Sequence, residues 1–208
     1  MHNEYAHLAR DLAPELQTLV AHAVHVHLRE GVREDVVGDV ERQTGRLPET
    51  TTATIAFADL VGFTALADGE SPARLAAVAD RFASLAVDAS SSPVKLVKLL
   101  GDGAMFRCVD AAALVDAVHG LMESVSADAG DLPPLRIGIA TGPVLMRRGD
   151  VYGGTVNLAA RLCDAAEAGH LLADTATREA CPGLAWEDGD TREIKGFTER
   201  VETATLTL

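Results

Sequence analysis

The order of strand-like and helical segments predicts an α+β fold with a ferredoxin-like βαββαβ core, in which helices pack on an antiparallel sheet. Three observations carry this prediction. Strand-like runs occupy residues 52–59 and 135–140, and two further apolar runs flank Gly101-Asp102-Gly103 as in a tight hairpin. Between these strands, apolar residues recur twice at helical spacing. The chain therefore reads strand, helix, hairpin, helix, strand, and we expect the helices on one face of the sheet.

The segment before this core is predicted to be a helical extension. Leucine, valine and alanine recur through residues 1–47 at roughly helical spacing. The polar stretch from Arg42 to Thr52, which contains Gly45 and Pro48, is the best candidate for a linker. The predicted organisation is thus an extension at 1–47 and a folded domain at 48–208, with the extension serving as a helical packing or dimerisation element.

Each predicted helix has a start signal. Ser71 is expected to cap the first helix, with Pro72 in its first position, and Asp110 to cap the second. Residues 149–162 read as a glycine-containing turn that opens a third helix. On that helix Asn157 and Arg161 are four residues apart and share one face. An amide and a planar cation side by side suit ribose and phosphate contacts, although a helix that merely ends in a salt-bridged arginine is the simpler alternative.

Composition and charge limit the classes of function. The 208 residues suffice for one domain plus an extension. There are 31 acidic and 18 basic residues, a net charge of −13, which argues against nucleic acid or an anionic membrane as the main partner. Cys108, Cys163 and Cys181 show no CxxC spacing and are expected to be free thiols in a reducing cytosol. No apolar run could span a bilayer and the N-terminus is not a signal peptide, so we expect a cytoplasmic chain without membrane contact.

Two aspartates lie at the ends of predicted strands, each between apolar residues and glycine. Asp59 ends the first strand, and Asp102 is at the tip of the hairpin. Taken singly, such residues are more often caps or turn residues. Taken together, they suit divalent metal binding with a phosphate close by. Lys98, on the strand that leads to Asp102, must point either to solvent or to a partner.

Four segments together resemble the catalytic domain of the class III nucleotidyl cyclases. They are residues 57–64, 98–105, 136–142 and 150–161, and they occur in the order typical of that family. The resemblance runs from about Thr52 to the C-terminus and does not cover the extension. It implies that Asp59 and Asp102 are ligands of two divalent cations, Mg²⁺ or Mn²⁺, with the Leu60 carbonyl as a further ligand.

The resemblance also implies which residues bind the nucleotide. Lys98 and Asp150 match the pair that reads the purine, and Asn157 matches the residue that orients the ribose. Arg161 matches the residue that stabilises the transferring phosphoryl group. Further substrate-binding positions are two cations at the triphosphate and the turn after the first strand: Arg136, Lys195, Gly62, Phe63 and Thr64.

The activity implied is that of an adenylate cyclase, an enzyme that converts ATP to 3′,5′-cyclic AMP and pyrophosphate by in-line attack of the ribose 3′-hydroxyl. Lys98 can donate to adenine N1 and Asp150 can accept from its exocyclic amine, whereas guanine reverses both polarities. In the family the site forms between two domains. Because this one chain holds every required residue type, the resemblance implies a homodimer with two equivalent sites.

Two other functions remain open on the sequence. One is a guanylate or mixed-specificity cyclase, which the Lys98 and Asp150 pair argues against. The other is a cyclase-like nucleotide-binding or regulatory domain with little turnover, which the intact metal, purine and phosphoryl positions argue against. The expected partners are ATP and a second copy of the chain.

Overall fold

The computed structural model describes residues 50–66, 69–128, 131–147, 150–192 and 200–207. The strands are β1 (Thr50–Leu60), β2 (Lys95–Leu100), β3 (Gly103–Cys108), β4 (Leu135–Arg147), β5 (Asp150–Tyr152), β6 (His170–Asp174), β7 (Glu187–Arg192) and β8 (Val201–Thr207). The helices are α1 (Phe63–Leu66), α2 (Pro72–Asp88), α3 (Ala111–Ala127), α4 (Gly154–Ala165) and α5 (Thr175–Ala180). The predicted extension at 1–47 lies outside the described residues, so its helical character and the domain boundary stay predictions.

The ferredoxin-like core is confirmed. The strands follow the order β2-β3-β1-β4-β6-β8-β7, with β5 paired to the far end of β4. The first four strands pair with one another in antiparallel fashion, and they are connected through α2 and α3 in the predicted βαββαβ order. The sheet as a whole is mixed rather than antiparallel, because β4 and β6 run parallel. The connection from β4 to β6 passes through α4, as a parallel pair requires a crossover.

The predicted helix starts are also confirmed. The Ser71 side chain accepts a hydrogen bond from the Arg74 amide and Pro72 is the first residue of α2. The Asp110 carboxylate accepts from the Ala113 amide at the start of α3. Each cap satisfies a backbone N–H that the first helical turn leaves without a partner.

The expectation that the two helices between the core strands lie on one face of the sheet is confirmed, and a third helix covers the opposite face. Helices α2 and α3 pack on one face of the sheet, where Phe82 and Leu114 meet the alternate β1 residues Ala56 and Ala58. Helix α4 packs on the opposite face, where Leu162 belongs to the same buried cluster as Ile55. Successive side chains of a strand point to opposite faces, so β1 supplies both cores.

Strand β4 is longer than predicted. The expected strand ended at residue 140 before Thr141-Gly142-Pro143, but β4 continues through these residues to Arg147. Pro143 falls opposite Thr52 near the outer end of β1. It is tolerated there because the pairing of β4 with β6 covers residues 137–139 and that with β5 covers residues 145–147, so Pro143 lies between these two pairings. The extra length carries β5, and with it Asp150, as part of one hairpin.

A buried hydrogen-bond network holds α5 against β1 and β4. Asp174 caps α5, and its carboxylate accepts from the amide and the hydroxyl of Thr177 and from the amide of Thr141. The Thr141 hydroxyl in turn bonds to those of Thr177 and Thr54. Asp174 is only 7% exposed. Burial raises its pKa above the usual value, and the hydrogen bonds only partly oppose that rise.

Candidate active site

The first predicted metal ligand forms a cross-strand ion pair. Asp59 of β1 lies directly opposite Arg136 of β4. The Arg136 Nε and Nη2 atoms donate to Asp59 Oδ2 at 3.0 and 2.7 Å. Both side chains are about three-quarters buried, with exposures of 29% and 27%. Burial opposes the charge of Arg136, but the hydrogen bonds and charge of Asp59 outweigh it and raise the pKa of the guanidinium.

The hairpin brings the second aspartate to the same place. Gly101 has a φ of 72° in the turn between β2 and β3, a conformation that favours glycine. The Asp102 carbonyl accepts from the Leu60 amide at 3.2 Å, which ties the turn to the end of β1. Burial, followed by the negative charge of Asp59, raises the pKa of Asp102. We name Asp59, Asp102 and Arg136 the aspartate–arginine cluster.

Gly103 makes room for this cluster. A methyl group on Gly103 would lie 3.2 Å from the Ala58 carbonyl oxygen and 3.5 Å from Asp59 Oδ1. The Asp59 carboxylate therefore lies over the glycine at the start of β3. The sequence motif Gly101-Asp102-Gly103 thus combines a turn residue, an acid and a residue without a side chain, each for a separate steric or chemical reason.

The predicted purine-reading residues form a second group, the lysine–aspartate pair. Lys98 Nζ donates to both carboxylate oxygens of Asp150, at 2.7 and 2.9 Å. The side chains are 40% and 30% exposed. Burial opposes ionisation of Asp150, but the Lys98 hydrogen bond and charge outweigh it and lower the pKa of the carboxyl. The Asp150 carboxyl is therefore held in its charged form, and both side chains have hydrogen-bonding capacity to spare.

Two features of the sheet assemble this pair. The β2–β3 register shifts between Leu96 and Lys98, so that Lys98 stands opposite Met105, a residue buried on the α4 face. A bulge of this kind re-aims a side chain to the other face of a sheet. Without it, the period of two would place Lys98 with Leu96, on the face covered by α2 and α3.

The second feature is the curl of β4. Lys98 pairs with Met105 of β3, Met105 pairs with Phe57 of β1, and Phe57 pairs with Gly138 of β4. Asp150 instead pairs with Arg147, which is nine residues after Gly138 on β4. In a straight strand those nine residues would span about 30 Å. The contact between Lys98 and Asp150 therefore requires the β4–β5 hairpin to curl back over the sheet.

Helix α4 carries the remaining two predicted residues, and both are exposed on it. Arg161 is 47% exposed and its Nη1 donates to the Asp164 carboxylate at 3.0 Å. The helix lies against β4 at Gly138, where a methyl group would come within 2.0 Å of the Cys163 amide nitrogen. Buried Cys163, whose pKa burial raises to about 12, is an un-ionised packing residue here.

The other predicted positions have mixed outcomes. Gly62 has a φ of 83° and its carbonyl accepts from the Leu66 amide, so the predicted turn over Gly62, Phe63 and Thr64 opens the short helix α1. The Leu60 side chain is buried in the core, so its backbone is the part that could face a ligand. Lys195 lies outside the described residues, and its predicted contact with the triphosphate stays a prediction.

The aspartate–arginine cluster suits a divalent cation. Two partly buried carboxylates, one of which has a pKa raised by burial and then by the charge of the other, form a hard oxygen donor set that a cation would neutralise. In the part of the chain that the structure describes, no group of three or more His, Cys, Asp or Glu side chains converges. A metal held here would thus complete its coordination with phosphate oxygens and water, which is how Mg²⁺ is usually bound beside phosphates.

Sequence reasoning missed Asp164. Its backbone carbonyl accepts from Arg136 Nη1 at 3.0 Å, and its carboxylate accepts from Arg161. The spacing of three residues from Arg161 could have indicated the second contact, because such residues are neighbours on a helix. The first depends on where α4 ends relative to β4, which no local pattern specifies.

The comparison with protein families decides which family the chain represents. A family model described as the adenylate and guanylate cyclase catalytic domain matches residues 46–207. The chain belongs to this family. It is 36% identical to a pH-sensitive adenylate cyclase of Mycobacterium tuberculosis over 197 aligned residues. The aligned region covers 91% of this chain and 49% of that protein. An adenylate cyclase of Streptomyces griseus is 36% identical over 167 residues, or 79% of this chain and 40% of that one.

Solved structures agree on the fold. The adenylyl cyclase CyaB from P. aeruginosa superposes with a TM-score of 0.64 at 23% identity, over 77% of this chain and 95% of that one. The catalytic core of a rhodopsin-guanylyl cyclase with converted specificity, in complex with ATPαS, gives a TM-score of 0.67 at 23% identity, over 76% and 98%. The cyclase domain spans about half the length or less of the two curated relatives described. In its described residues, no helix is both long and apolar enough to cross a membrane.

Proposed function

We propose that this domain is an adenylate cyclase that converts ATP to 3′,5′-cyclic AMP and pyrophosphate, at two sites shared between two copies of the chain. The observation that carries the proposal is the separation of the candidate residues into two groups. Asp59, Asp102 and Arg136 converge at one place, and Lys98 and Asp150 pair at another. Two-fold pairing of two chains would set each group against the other chain's complementary group. The adenylate cyclase names of the relatives support the same reaction.

The lysine–aspartate pair supports adenine as the base. In the resting chain its two members satisfy each other, but an ammonium has three donors and a carboxylate has several acceptor positions. Lys98 can therefore donate to adenine N1 while Asp150 accepts from the exocyclic amine. Guanine presents a donor and an acceptor in the opposite places, and a mismatched pair of buried polar contacts discriminates by orders of magnitude. ATP is the proposed substrate and GTP the disfavoured one.

The arginines and Asn157 are proposed to handle the sugar and the phosphates. Arg136 is anchored beside Asp59 and has a fixed positive charge for the triphosphate. Arg161 projects from α4 and supplies a cation where charge develops at the α-phosphorus. Asn157, one turn earlier on α4, is proposed to orient the ribose. Most of the rate enhancement would come from positioning and charge stabilisation.

Two divalent cations, Mg²⁺ or Mn²⁺, held by Asp59, Asp102 and the Leu60 carbonyl, would lower the pKa of the 3′-hydroxyl and neutralise the triphosphate. The direct test is incubation of the purified chain with ATP and Mn²⁺, followed by chromatographic identification of the products. Cyclic AMP and pyrophosphate in equal amounts are expected. Nucleotide binding without pyrophosphate release would instead identify a binding module.

A mixing experiment tests the shared site. Asp59→Ala disables the half that holds the cations, and Arg161→Ala disables the complementary half, so each variant alone should be nearly inactive. After random subunit exchange, half of the dimers are mixed and one of the two sites in each is intact. The mixture should recover about a quarter of wild-type activity. Mixing Asp59→Ala with Asp102→Ala is the matched control, because both changes lie in the same half and no intact site can form.

The mixture should be assayed over a range of protein concentrations, with sedimentation to show that mixed dimers form. If activity then stays at the sum of the two variants, each site lies within one chain and the proposed arrangement is wrong. Equal recovery in the control mixture would contradict the assignment of Asp59 and Asp102 to the same half.

A further inference from the structure

Asp164 contacts two of the proposed active-site arginines at once. It lies in the last turn of α4, and its carboxylate Oδ2 is 3.0 Å from Arg161 Nη1. Its backbone carbonyl accepts from Arg136 Nη1 at 3.0 Å, while the other nitrogens of Arg136 bond to Asp59. In the proposed dimer Arg136 and Arg161 of one chain serve different sites, so this residue lies where the two half-sites of a chain meet.

Fold stability does not account for the acid at this position. The C-terminal end of a helix carries partial negative charge, which disfavours a carboxylate in the last turn. The ion pair that Asp164 forms is exposed, with 47% of Arg161 and 60% of Asp164 open to solvent, and such pairs contribute little to folding. The carboxylate therefore influences the side-chain conformation of Arg161 more than the stability of α4.

We propose that the Asp164 carboxylate is a positioning residue that holds Arg161 ready for the transferring phosphoryl group, an inference that rests on the proposed cyclase function. A half-exposed arginine samples many rotamers, and fixing it during the reaction would cost entropy. The hydrogen bond to Asp164 fixes the guanidinium beforehand and uses one of its five N–H donors. The remaining donors stay available to phosphate oxygens.

Side-chain variants separate this role from that of the backbone. Asp164→Ala and Asp164→Asn both keep the carbonyl that accepts from Arg136, so the aspartate–arginine cluster is retained. Asp164→Ala should lower kcat for ATP by about 3- to 10-fold and change KM less than about 2-fold, because Arg161 acts mainly as charge develops. Asp164→Asn keeps a neutral acceptor at the same place and should lose less. The thermal unfolding midpoint and the dimer dissociation should match those of wild type.

The matched control is Asp131→Ala, which removes an exposed aspartate whose carboxylate is 3.3 Å from Arg74 Nη2, an arginine that is not a candidate active-site residue. It should leave kcat unchanged. A double-mutant cycle gives the decisive reading: in an Arg161→Ala background, Asp164→Ala should cause no further loss, since the group that it positions is gone.

Each outcome bears on the inference. A wild-type kcat in Asp164→Ala overturns it, as does an equal proportional loss in the Arg161→Ala background. A loss that resides in KM alone would show a role in ground-state binding and would also overturn it. If wild type itself forms no cyclic nucleotide, the proposed function fails and the inference fails with it. An active wild type with unaffected Asp164 variants contradicts the inference alone.

Discussion

Replacing Gly138 by alanine tests whether the close packing of α4 against β4 is needed for activity. A methyl group at Gly138 would lie 2.0 Å from the Cys163 amide nitrogen and 2.4 Å from the Ala159 carbonyl oxygen. Both are backbone atoms of α4 and cannot rotate away. To reach an ordinary contact of 3.4 Å, the helix and strand must separate by about 1.4 Å.

The consequences follow from what α4 carries. A shift of that size lengthens the hydrogen bond from Arg136 to the Asp164 carbonyl, now 3.0 Å, beyond its useful range. It also displaces Arg161, and a misplacement of about 1 Å can cost about 100-fold in rate. Overpacking in a core typically costs about 1–3 kcal/mol, and a backbone-to-backbone overlap falls at the upper end. We therefore expect Gly138→Ala to lose about 3 kcal/mol of unfolding free energy and most of its cyclase activity.

The measurements are urea unfolding and kcat at a temperature where the variant remains folded. Gly120→Ala is the matched control, because it makes the same substitution inside α3, where no atom beyond the neighbouring residues and the helix's own backbone lies within 4 Å of the new methyl group. There alanine should raise stability by up to about 1 kcal/mol and leave kcat unchanged. Full activity and wild-type stability in Gly138→Ala would refute both the close packing of α4 on β4 and its predicted effect on Arg161.

Two further predictions concern base choice and pH. Lys98→Glu combined with Asp150→Gly should lower ATP turnover sharply and raise GTP use relative to ATP, and an unchanged ratio in competition assays would contradict the assigned base contacts. Burial raises the pKa of Asp174, so the folded chain holds that proton more tightly than the unfolded chain and stability falls as pH rises from the unfolded to the folded pKa. Asp174→Asn keeps an acceptor for Thr177 without titrating, so its stability relative to wild type, from urea unfolding, should rise across that interval. A pH-independent difference would show that Asp174 does not titrate abnormally.

The sequence by itself determined the order of the elements from β1 to β4 and the chemistry of the two aspartate turns. Ser71 and Asp110 cap their helices as predicted, and Gly101 turns the hairpin, because each interaction spans only a few residues and its physics is local. The family resemblance likewise rested on contiguous motifs, and the match over residues 46–207 confirms it.

Only the tertiary structure decided which of those residues meet. The ion pair of Lys98 with Asp150 depends on a bulge in β2 and on the curl of a 13-residue strand, and neither has a local sequence signal. The sequence did not indicate that α4 packs on the face opposite α2 and α3, since an apolar helical stripe specifies that a helix is buried but not against which face. Asp164 reaches Arg136 only because α4 ends beside β4. Register, curl and face are set by the sum of many distant contacts, and that sum exists only in the folded chain.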